Sequence, residues 1–257
     1  MPGTVVAVRG LLRSRVALFG AVGIAAVGIA AGLIVASVVG SSDKTTTAAT
    51  TDVSSTSTVD THVPLNGVTE TSKLLAGIPQ HGNVLGKPGA PVTMVEFADL
   101  QCPFCAQYAL GALPTIVRDY VRTGKVKLVF NGMAFIGPDS EKALRAAYAG
   151  ALQNRLWNVI DLLYKNQGVE NSGWVTDGIL ESVAAAISGI DVNAMLDAQH
   201  STEVDQALTK ATAQAQQANV NSTPTFFAGP TGGTLQALQI AKLTPEPFRQ
   251  ALDALLK

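Results

Sequence analysis

Two cysteines separated by two residues are the strongest sign of chemistry in this sequence of 257 residues. Cys102 and Cys105 follow an apolar, β-branched segment and precede a helical pattern. This spacing places both sulfurs on one side of a first helical turn, close enough for a disulfide. Free N–H groups and the helix dipole stabilise a thiolate at a helix N-terminus. The pattern predicts thiol–disulfide exchange, with Cys102 as the nucleophile and Cys105 as the more buried resolving residue.

Two other uses of the cysteines are possible, a structural disulfide and a metal site. A disulfide across so short a loop removes little entropy from the unfolded chain, so it would stabilise the fold poorly. A four-ligand zinc site would need further ligands, and the three histidines lie far apart in the sequence. We therefore expect redox chemistry, with no metal site and no cofactor. Pro103 fits this reading because proline suits the first position of a helix.

The cysteines lie between two predicted strands, at residues 91–97 and 125–130. Both segments are rich in β-branched and apolar residues, and the helix between them is predicted to run to Gly124. The short connections favour a parallel pair of strands with a right-handed crossover. The sequence therefore predicts a β-α-β unit with the cysteines at the start of its helix.

The remainder of the C-terminal part is predicted to be a helical block followed by two strands and a helix. Apolar residues recur at helical spacing over about residues 139–218. Strands are predicted at 223–227 and 234–238, and a last helix has Thr244 as its cap and Pro245 at its first position. The expected order is β-α-β, a helical block, then β-β-α, which is an α/β fold.

The first 62 residues have a different composition. Residues 16–40 carry no charge and are long enough to cross a bilayer, and three arginines precede them. Positive charge before a first span predicts a cytoplasmic N-terminus (1–15), a membrane anchor (16–40) and export of the remaining residues. A cleaved signal peptide is the alternative, but its apolar region would be shorter. Residues 41–62 contain 13 Ser or Thr and are predicted to be a flexible stalk before the folded part, 63–257.

The overall charge excludes one class of function. The formal net charge is −1 and only 14% of residues are charged. A nucleic-acid-binding protein would be expected to carry a basic face. We therefore expect no nucleic-acid partner.

The run EFADLQCPFC, from Glu96 to Cys105, together with Thr223-Pro224, resembles the DsbA-like branch of the thioredoxin superfamily. Segments 77–80, 86–88 and 135–139 are similar to its membrane-anchored actinobacterial members. The resemblance covers about residues 74–257. It implies a thioredoxin fold with a helical insertion between its halves, preceded by one transmembrane helix, and a thiol–disulfide oxidoreductase outside the cytoplasm.

The resemblance also implies roles for residues outside the cysteine pair. Glu96 matches the buried acid of the family, which exchanges protons with the resolving cysteine. An acid in an apolar central strand would be desolvated and its pKa raised, unless its side chain reaches solvent at the sheet end. Thr223 and Pro224 match the cis-proline site, where the backbone of Thr223 would pair with an extended substrate segment.

Phe104 is a departure from the strongly oxidising members, which carry His before the second cysteine. Phenylalanine cannot stabilise the thiolate by charge, so we expect a milder oxidant, with Phe104 as an apolar contact for unfolded substrates. The preferred function is donation of disulfides to exported proteins, with a quinone-linked membrane partner as reoxidant. A tethered reductase or isomerase is one alternative, and a non-catalytic peptide-binding or chaperone module with a structural disulfide is another.

Overall fold

A computed structural model describes residues 63–257 of the chain. The predicted cytoplasmic N-terminus (1–15), membrane anchor (16–40) and stalk (41–62) lie outside the described residues. Among the helices that are described, none combines the length and the apolar character needed to cross a membrane.

The described residues form one mixed sheet with helices packed against it. Its strands are β1 (Gln80–His81), β2 (Val84–Leu85), β3 (Val92–Asp99), β4 (Val126–Met133), β5 (Thr225–Pro230) and β6 (Gln236–Ala237). The α-helices are α1 (Val68–Leu75), α2 (Pro103–Gly111), α3 (Leu113–Ile116), α4 (Pro138–Leu152), α5 (Leu156–Lys165), α6 (Asp177–Ala185), α7 (Val192–Ala198), α8 (Thr202–Gln217) and α9 (Pro245–Leu255).

The sheet has the strand order β1-β2-β4-β3-β5-β6. β3 and β4 are parallel and β5 runs antiparallel to β3, so the predicted β-α-β and β-β-α units are confirmed. Five helices, α4 to α8, lie between β4 and β5 in the chain and form the predicted helical insertion. Helix α1 and the hairpin of β1 and β2, which extends the sheet beyond β4, were not predicted.

The two central strands place every second side chain in the core. On β4, Val126, Leu128 and Phe130 are buried, whereas Lys127 and Val129 between them are partly exposed. The same alternation holds along the first half of β3, where Val92 and Met94 are buried. Since strand side chains alternate between faces, one face of these two central strands is buried.

The predicted helix after the cysteines differs from the one observed. It is interrupted after Gly111, continues as α3, and ends in a π-helical turn at Val117–Val121. Pro114 explains the interruption, because it has no N–H with which to bond the carbonyl of Leu110.

The last helix and the last two strands also differ from the predicted elements. Thr244 occupies the N-cap of α9, but its side chain makes no capping hydrogen bond. The predicted strand at 223–227 begins only at Thr225, which leaves Thr223 and Pro224 in the preceding loop. The last predicted strand, at 234–238, is reduced to β6.

Candidate active site

The cysteine pair lies where β3 passes into α2. Cys102 is the N-cap residue of α2 and Pro103 follows at the first helical position, as the sequence indicated. The N–H of Cys102 donates to the carbonyl of Asp99 at 3.1 Å, and its own carbonyl accepts from the N–H of Ala106 at 3.1 Å. These bonds hold the Cys102 sulfur at the positive end of the helix. Cys102 and Cys105 are free thiols, and Cys105 is the more deeply buried.

The loop before β5 completes the site from a distant part of the chain. The Thr223–Pro224 peptide bond is cis. The Cys102 Sγ–H donates to the carbonyl oxygen of Thr223, at 3.5 Å across 121 residues of sequence. Cys102 therefore contacts both its own helix and the loop that resembles the family's substrate-pairing segment.

The surroundings of Cys102 favour its thiolate and lower its pKa to about 6. The largest cause is a hydrogen bond with the Cys105 side chain, followed by burial, which opposes the effect. The Thr223 side chain and the backbone N–H groups of Cys105 and Phe104 add further stabilisation of the thiolate. A sulfur ionised at neutral pH is a good nucleophile and a good leaving group.

The pKa of Cys105 shifts in the opposite direction, because burial raises it far above the ordinary value of a thiol. Donation of its hydrogen bond to Cys102 and the negative charges of Cys102 and Glu96 raise the pKa further. Two adjacent groups with pKa values pushed apart are typical of a site in which one group reacts and the other holds a proton.

This difference predicts selective alkylation of the reduced protein by iodoacetamide. Modification of Cys102 should follow its thiolate, with a half-maximal rate near pH 6, and Cys105 should remain unmodified while the protein is folded. Mass spectrometry after a timed quench measures both. Equal modification of the two sulfurs, or a half-maximal rate near pH 9, would contradict the opposite shifts of the two thiols.

Glu96 lies on the buried face of β3, the strand that leads to the cysteines. It is 3% exposed and stands between Phe130 of β4 and Phe226 of β5 in the strand register. Its Oε1 atom has no hydrogen-bond partner among the described residues, and burial raises the pKa of this carboxyl to about 8. The side chain thus does not reach solvent at the sheet end, and it carries a proton at neutral pH.

Several polar residues hold the cysteine segment without having been assigned a role from the sequence. The Tyr164 hydroxyl donates to the carbonyl of Asp99 at 3.3 Å. Gln167 Nε2 donates to the carbonyls of Leu100 and Cys102, at 2.9 and 3.3 Å. Tyr164 and Gln167 belong to the helical insertion, so only the tertiary structure shows that this insertion supports the site. Asp99 could have been found from the sequence, because a carboxylate at the end of a buried strand needs hydrogen-bond partners.

Phe104 differs from the cysteines on either side because 61% of its surface is exposed. Its ring therefore lies at the mouth of the site and not in the core.

No group of three or more His, Cys, Asp or Glu residues among residues 63–257 is arranged to hold a metal ion. The chemistry that the described residues can perform is exchange of a thiol for a disulfide.

Comparisons with known proteins agree with this geometry. A family model described as thioredoxin matches residues 80–254, which is more than half of the chain. The chain belongs to this thioredoxin family. A probable disulfide bond formation protein D from Bacillus cereus is 32% identical over 146 residues, which are 56% of this chain and 68% of that protein.

Solved structures of BdbD and of DsbA proteins share the fold of this chain. Oxidised BdbD from Bacillus subtilis is 25% identical with a TM-score of 0.59, and the match covers 71% of this chain and 97% of BdbD. The α-DsbA1 protein of Wolbachia pipientis shares the fold, at 20% identity and a TM-score of 0.58, over 72% of this chain and 95% of that one. This chain is therefore a DsbA-like thiol–disulfide oxidoreductase. The individual roles of Cys102, Cys105, Glu96, Thr223 and Pro224 stay predictions.

Proposed function

We propose that this thioredoxin-family protein donates disulfides to exported proteins outside the cytoplasm, through a cycle of Cys102 and Cys105. The observation that carries the direction is the opposite shift of the two thiol pKa values, down at Cys102 and up at Cys105. A stabilised thiolate favours the reduced form of the pair, so the oxidised pair gives its disulfide away. The names of the Bacillus relatives, which concern disulfide bond formation, support the same direction.

The proposed cycle starts with the Cys102–Cys105 disulfide. A substrate thiolate attacks Cys102 Sγ, which forms a mixed disulfide and releases Cys105 as a thiolate. A second substrate thiolate then attacks the substrate sulfur of the mixed disulfide and releases Cys102. The substrate loses two electrons and gains a disulfide, and the enzyme ends as a dithiol. Because Cys102 is the more acidic thiol, it is the better leaving group in this second step.

Glu96 supplies the proton that Cys105 needs when it leaves. A thiolate in this buried position is strongly disfavoured, since burial raises its pKa. Glu96 holds a proton at neutral pH because its own pKa is about 8, and it lies close enough to Cys105 for its ionised form to raise the pKa of that thiol. Transfer of that proton neutralises the leaving sulfur, and the carboxylate then regains a proton from solvent.

Regeneration requires an oxidant that accepts two electrons from the dithiol. A quinone-linked membrane protein would suit this role, and the uncharged segment 16–40 would keep the enzyme at the membrane face. The arginines before that segment support an orientation with residues 63–257 outside the cytoplasm.

A fusion protein tests this location. A phosphatase that folds to its active form only after export should show activity when it is fused to the C-terminus of this chain. An inactive but stable fusion would contradict the location.

The reduction potential of the full chain tests the direction of the reaction. Equilibration with reduced and oxidised glutathione should give a value between about −120 and −200 mV for a donor, whereas a reductase would lie near about −270 mV. A disulfide that resists reduction until the protein unfolds would instead favour the peptide-binding alternative.

Phe104→His is the matched variant for this measurement. An imidazolium beside the cysteines should stabilise the thiolate further. Each unit by which the pKa of Cys102 falls should raise the potential by about 30 mV, since a tenfold change in the equilibrium constant corresponds to 29.6 mV for two electrons. An unchanged potential together with a lowered pKa of Cys102 would show that the thiolate does not control the redox balance.

A further inference from the structure

The turn that carries Cys102 is held from outside by the end of α5. The Tyr164 hydroxyl donates to the carbonyl of Asp99 at 3.3 Å. Gln167 lies two residues beyond the end of α5, and its Nε2 donates to the carbonyl of Leu100 at 2.9 Å and to that of Cys102 at 3.3 Å. Three carbonyl groups of this turn therefore accept hydrogen bonds from side chains of the helical insertion.

The contact of Gln167 with Cys102 fixes the residue whose sulfur reacts. The carbonyl of Cys102 also accepts from the N–H of Ala106, which is the first hydrogen bond of α2. The backbone N–H groups of Phe104 and Cys105, in that same first turn, stabilise the Cys102 thiolate. How well they point at the sulfur depends on the angle at which the N-cap residue enters the helix. Gln167 holds the carbonyl side of that residue in place.

The two redox states of the site differ in what holds Cys102. In the oxidised protein a covalent bond joins Cys102 Sγ to Cys105 Sγ, so the turn is closed by the disulfide itself. In the reduced protein, whose free thiols the structure contains, non-covalent contacts alone orient Cys102. A contact that stabilises one state more than the other shifts the equilibrium between them by that difference. The Gln167 contact therefore favours the dithiol over the disulfide.

The residues just before Gln167 are fixed on their other side. Asn166 donates from Nδ2 to the carbonyl of Asn66 at 3.1 Å and accepts from the Asn66 N–H through Oδ1 at 2.8 Å. The Lys165 ammonium group donates to the Thr71 hydroxyl of α1 at 3.0 Å. The Gln167 amide thus extends from a segment that is itself hydrogen-bonded, which is what precise positioning of a reactive group requires.

We propose that Gln167 is a positioning residue for Cys102, which holds the backbone of the cysteine turn so that the N–H groups at the start of α2 point at the reacting sulfur and make the protein a stronger oxidant. This inference rests on the proposed function, because it concerns the direction of the same disulfide exchange. Gln167 acts through the backbone of Cys102 and not on its sulfur.

Gln167→Met tests this role, because methionine has the length of glutamine but no N–H donor. The oxidised full chain is equilibrated with glutathione at about pH 8. Two glutathione thiols lose one electron each and form oxidised glutathione, and the Cys102–Cys105 disulfide takes up both electrons and becomes a dithiol. The equilibrium constant for reduction should fall about tenfold in the variant, the size of one hydrogen bond lost from the dithiol state alone. That change lowers the reduction potential by about 30 mV.

The pKa of Cys102 provides a second readout, which loss of stability alone would not change. Ultraviolet absorbance of the thiolate measures this pKa, and it should rise from about 6 in the wild type towards the ordinary value of a thiol in Gln167→Met. If Gln167→Met fails to fold, Asn166→Ala releases Asn66 and leaves Gln167 intact. It should shift the pKa and the potential in the same directions.

Gln153→Met is the matched control. Gln153 donates from Nε2 to the carbonyl of Asp191 at 2.9 Å and accepts from the Asp191 N–H at 2.7 Å, so this variant loses the same kind of bond between α4 and α7. It should leave the potential and the pKa of Cys102 unchanged.

Two results would overturn the inference. One is a folded Gln167→Met protein with the potential and the Cys102 pKa of the wild type, and the other is an equal shift in Gln153→Met. A wild-type potential in the range of a reductase would instead refute the proposed function. The difference between Gln167→Met and wild type would still test the role of Gln167, so the two failures are distinguishable.

Discussion

Replacing Cys102 with Ser should abolish thiol–disulfide exchange, with a loss on the order of 10³-fold or more, because a hydroxyl neither forms a disulfide nor ionises near neutral pH. Replacing Cys105 with Ser should leave the reactive thiolate in place but remove its resolving partner. When that variant is given a substrate disulfide, Cys102 should attack it, release one substrate thiol and remain in a mixed disulfide that accumulates. Oxidation of a reduced peptide dithiol, followed by fluorescence, measures the first variant, and non-reducing electrophoresis measures the second.

The same pair of variants separates catalysis from binding. If Cys102→Ser loses exchange but still binds the reduced peptide, the protein both binds and catalyses, as proposed. If Cys102→Ser retains the function of the wild type, the cysteines serve only a structural disulfide and the peptide-binding alternative is correct. A Cys105→Ser protein that forms no mixed disulfide while Cys102 remains alkylatable would contradict the assignment of Cys102 as the nucleophile.

Glu96→Gln should make the protein more stable and a poorer catalyst. Burial raises the pKa of Glu96 from 4.5 to about 8, so the folded state binds this proton more tightly than the unfolded state does. The stability contributed by the proton is complete below pH 4.5 and is lost as the pH rises to about 8. At pH 7 the wild type should already have lost about 3 kcal/mol of its free energy of unfolding, and the neutral Glu96→Gln variant should keep it. Chemical denaturation at several pH values measures the difference.

The catalytic loss should be seen in the step that releases Cys105. Without the proton of Glu96, formation of the mixed disulfide should slow by about 10²-fold at neutral pH, which is typical for removal of a general acid. The rate should also lose its dependence on a group that titrates near pH 8. Glu203→Gln, at an exposed acid on α8, is the control and should change neither property. Equal stability of Glu96→Gln and wild type at pH 7 would contradict the burial argument.

The order of elements in the folded part could be predicted because local patterns decide it. The β-branched runs predicted β3 and β4, and the apolar spacing predicted a helical block between the two halves. Pro103 and Cys102 marked the beginning of α2 correctly, since a helix N-terminus depends on the first few residues alone. Pro114 shows the limit of pattern reading, because apolar spacing continues through it while the helix hydrogen bonds do not.

The hairpin of β1 and β2 and the short helix α1 escaped prediction for a different reason. Each strand of the hairpin has two residues, and α1 has eight. Elements of this size have almost no stability of their own and exist because they pack against larger ones. The Thr71 hydroxyl of α1, for example, donates to the carboxylate of Asp161 and accepts from the Lys165 ammonium group, and both bonds tie α1 to α5.

The sequence by itself predicted the chemistry of this protein, since a Cys-Pro-Phe-Cys run between a strand and a helix indicates thiol–disulfide exchange and places the pair at a helix N-terminus. The tertiary structure decided the electrostatic setting of that pair. It brought Thr223 and Gln167 to Cys102 and placed Glu96 on the buried face of β3. The two hydrogen bonds join residues 121 and 65 positions apart, and burial depends on what packs over a strand. These contacts and this burial therefore depend on the whole fold and cannot be predicted from a short segment of the sequence.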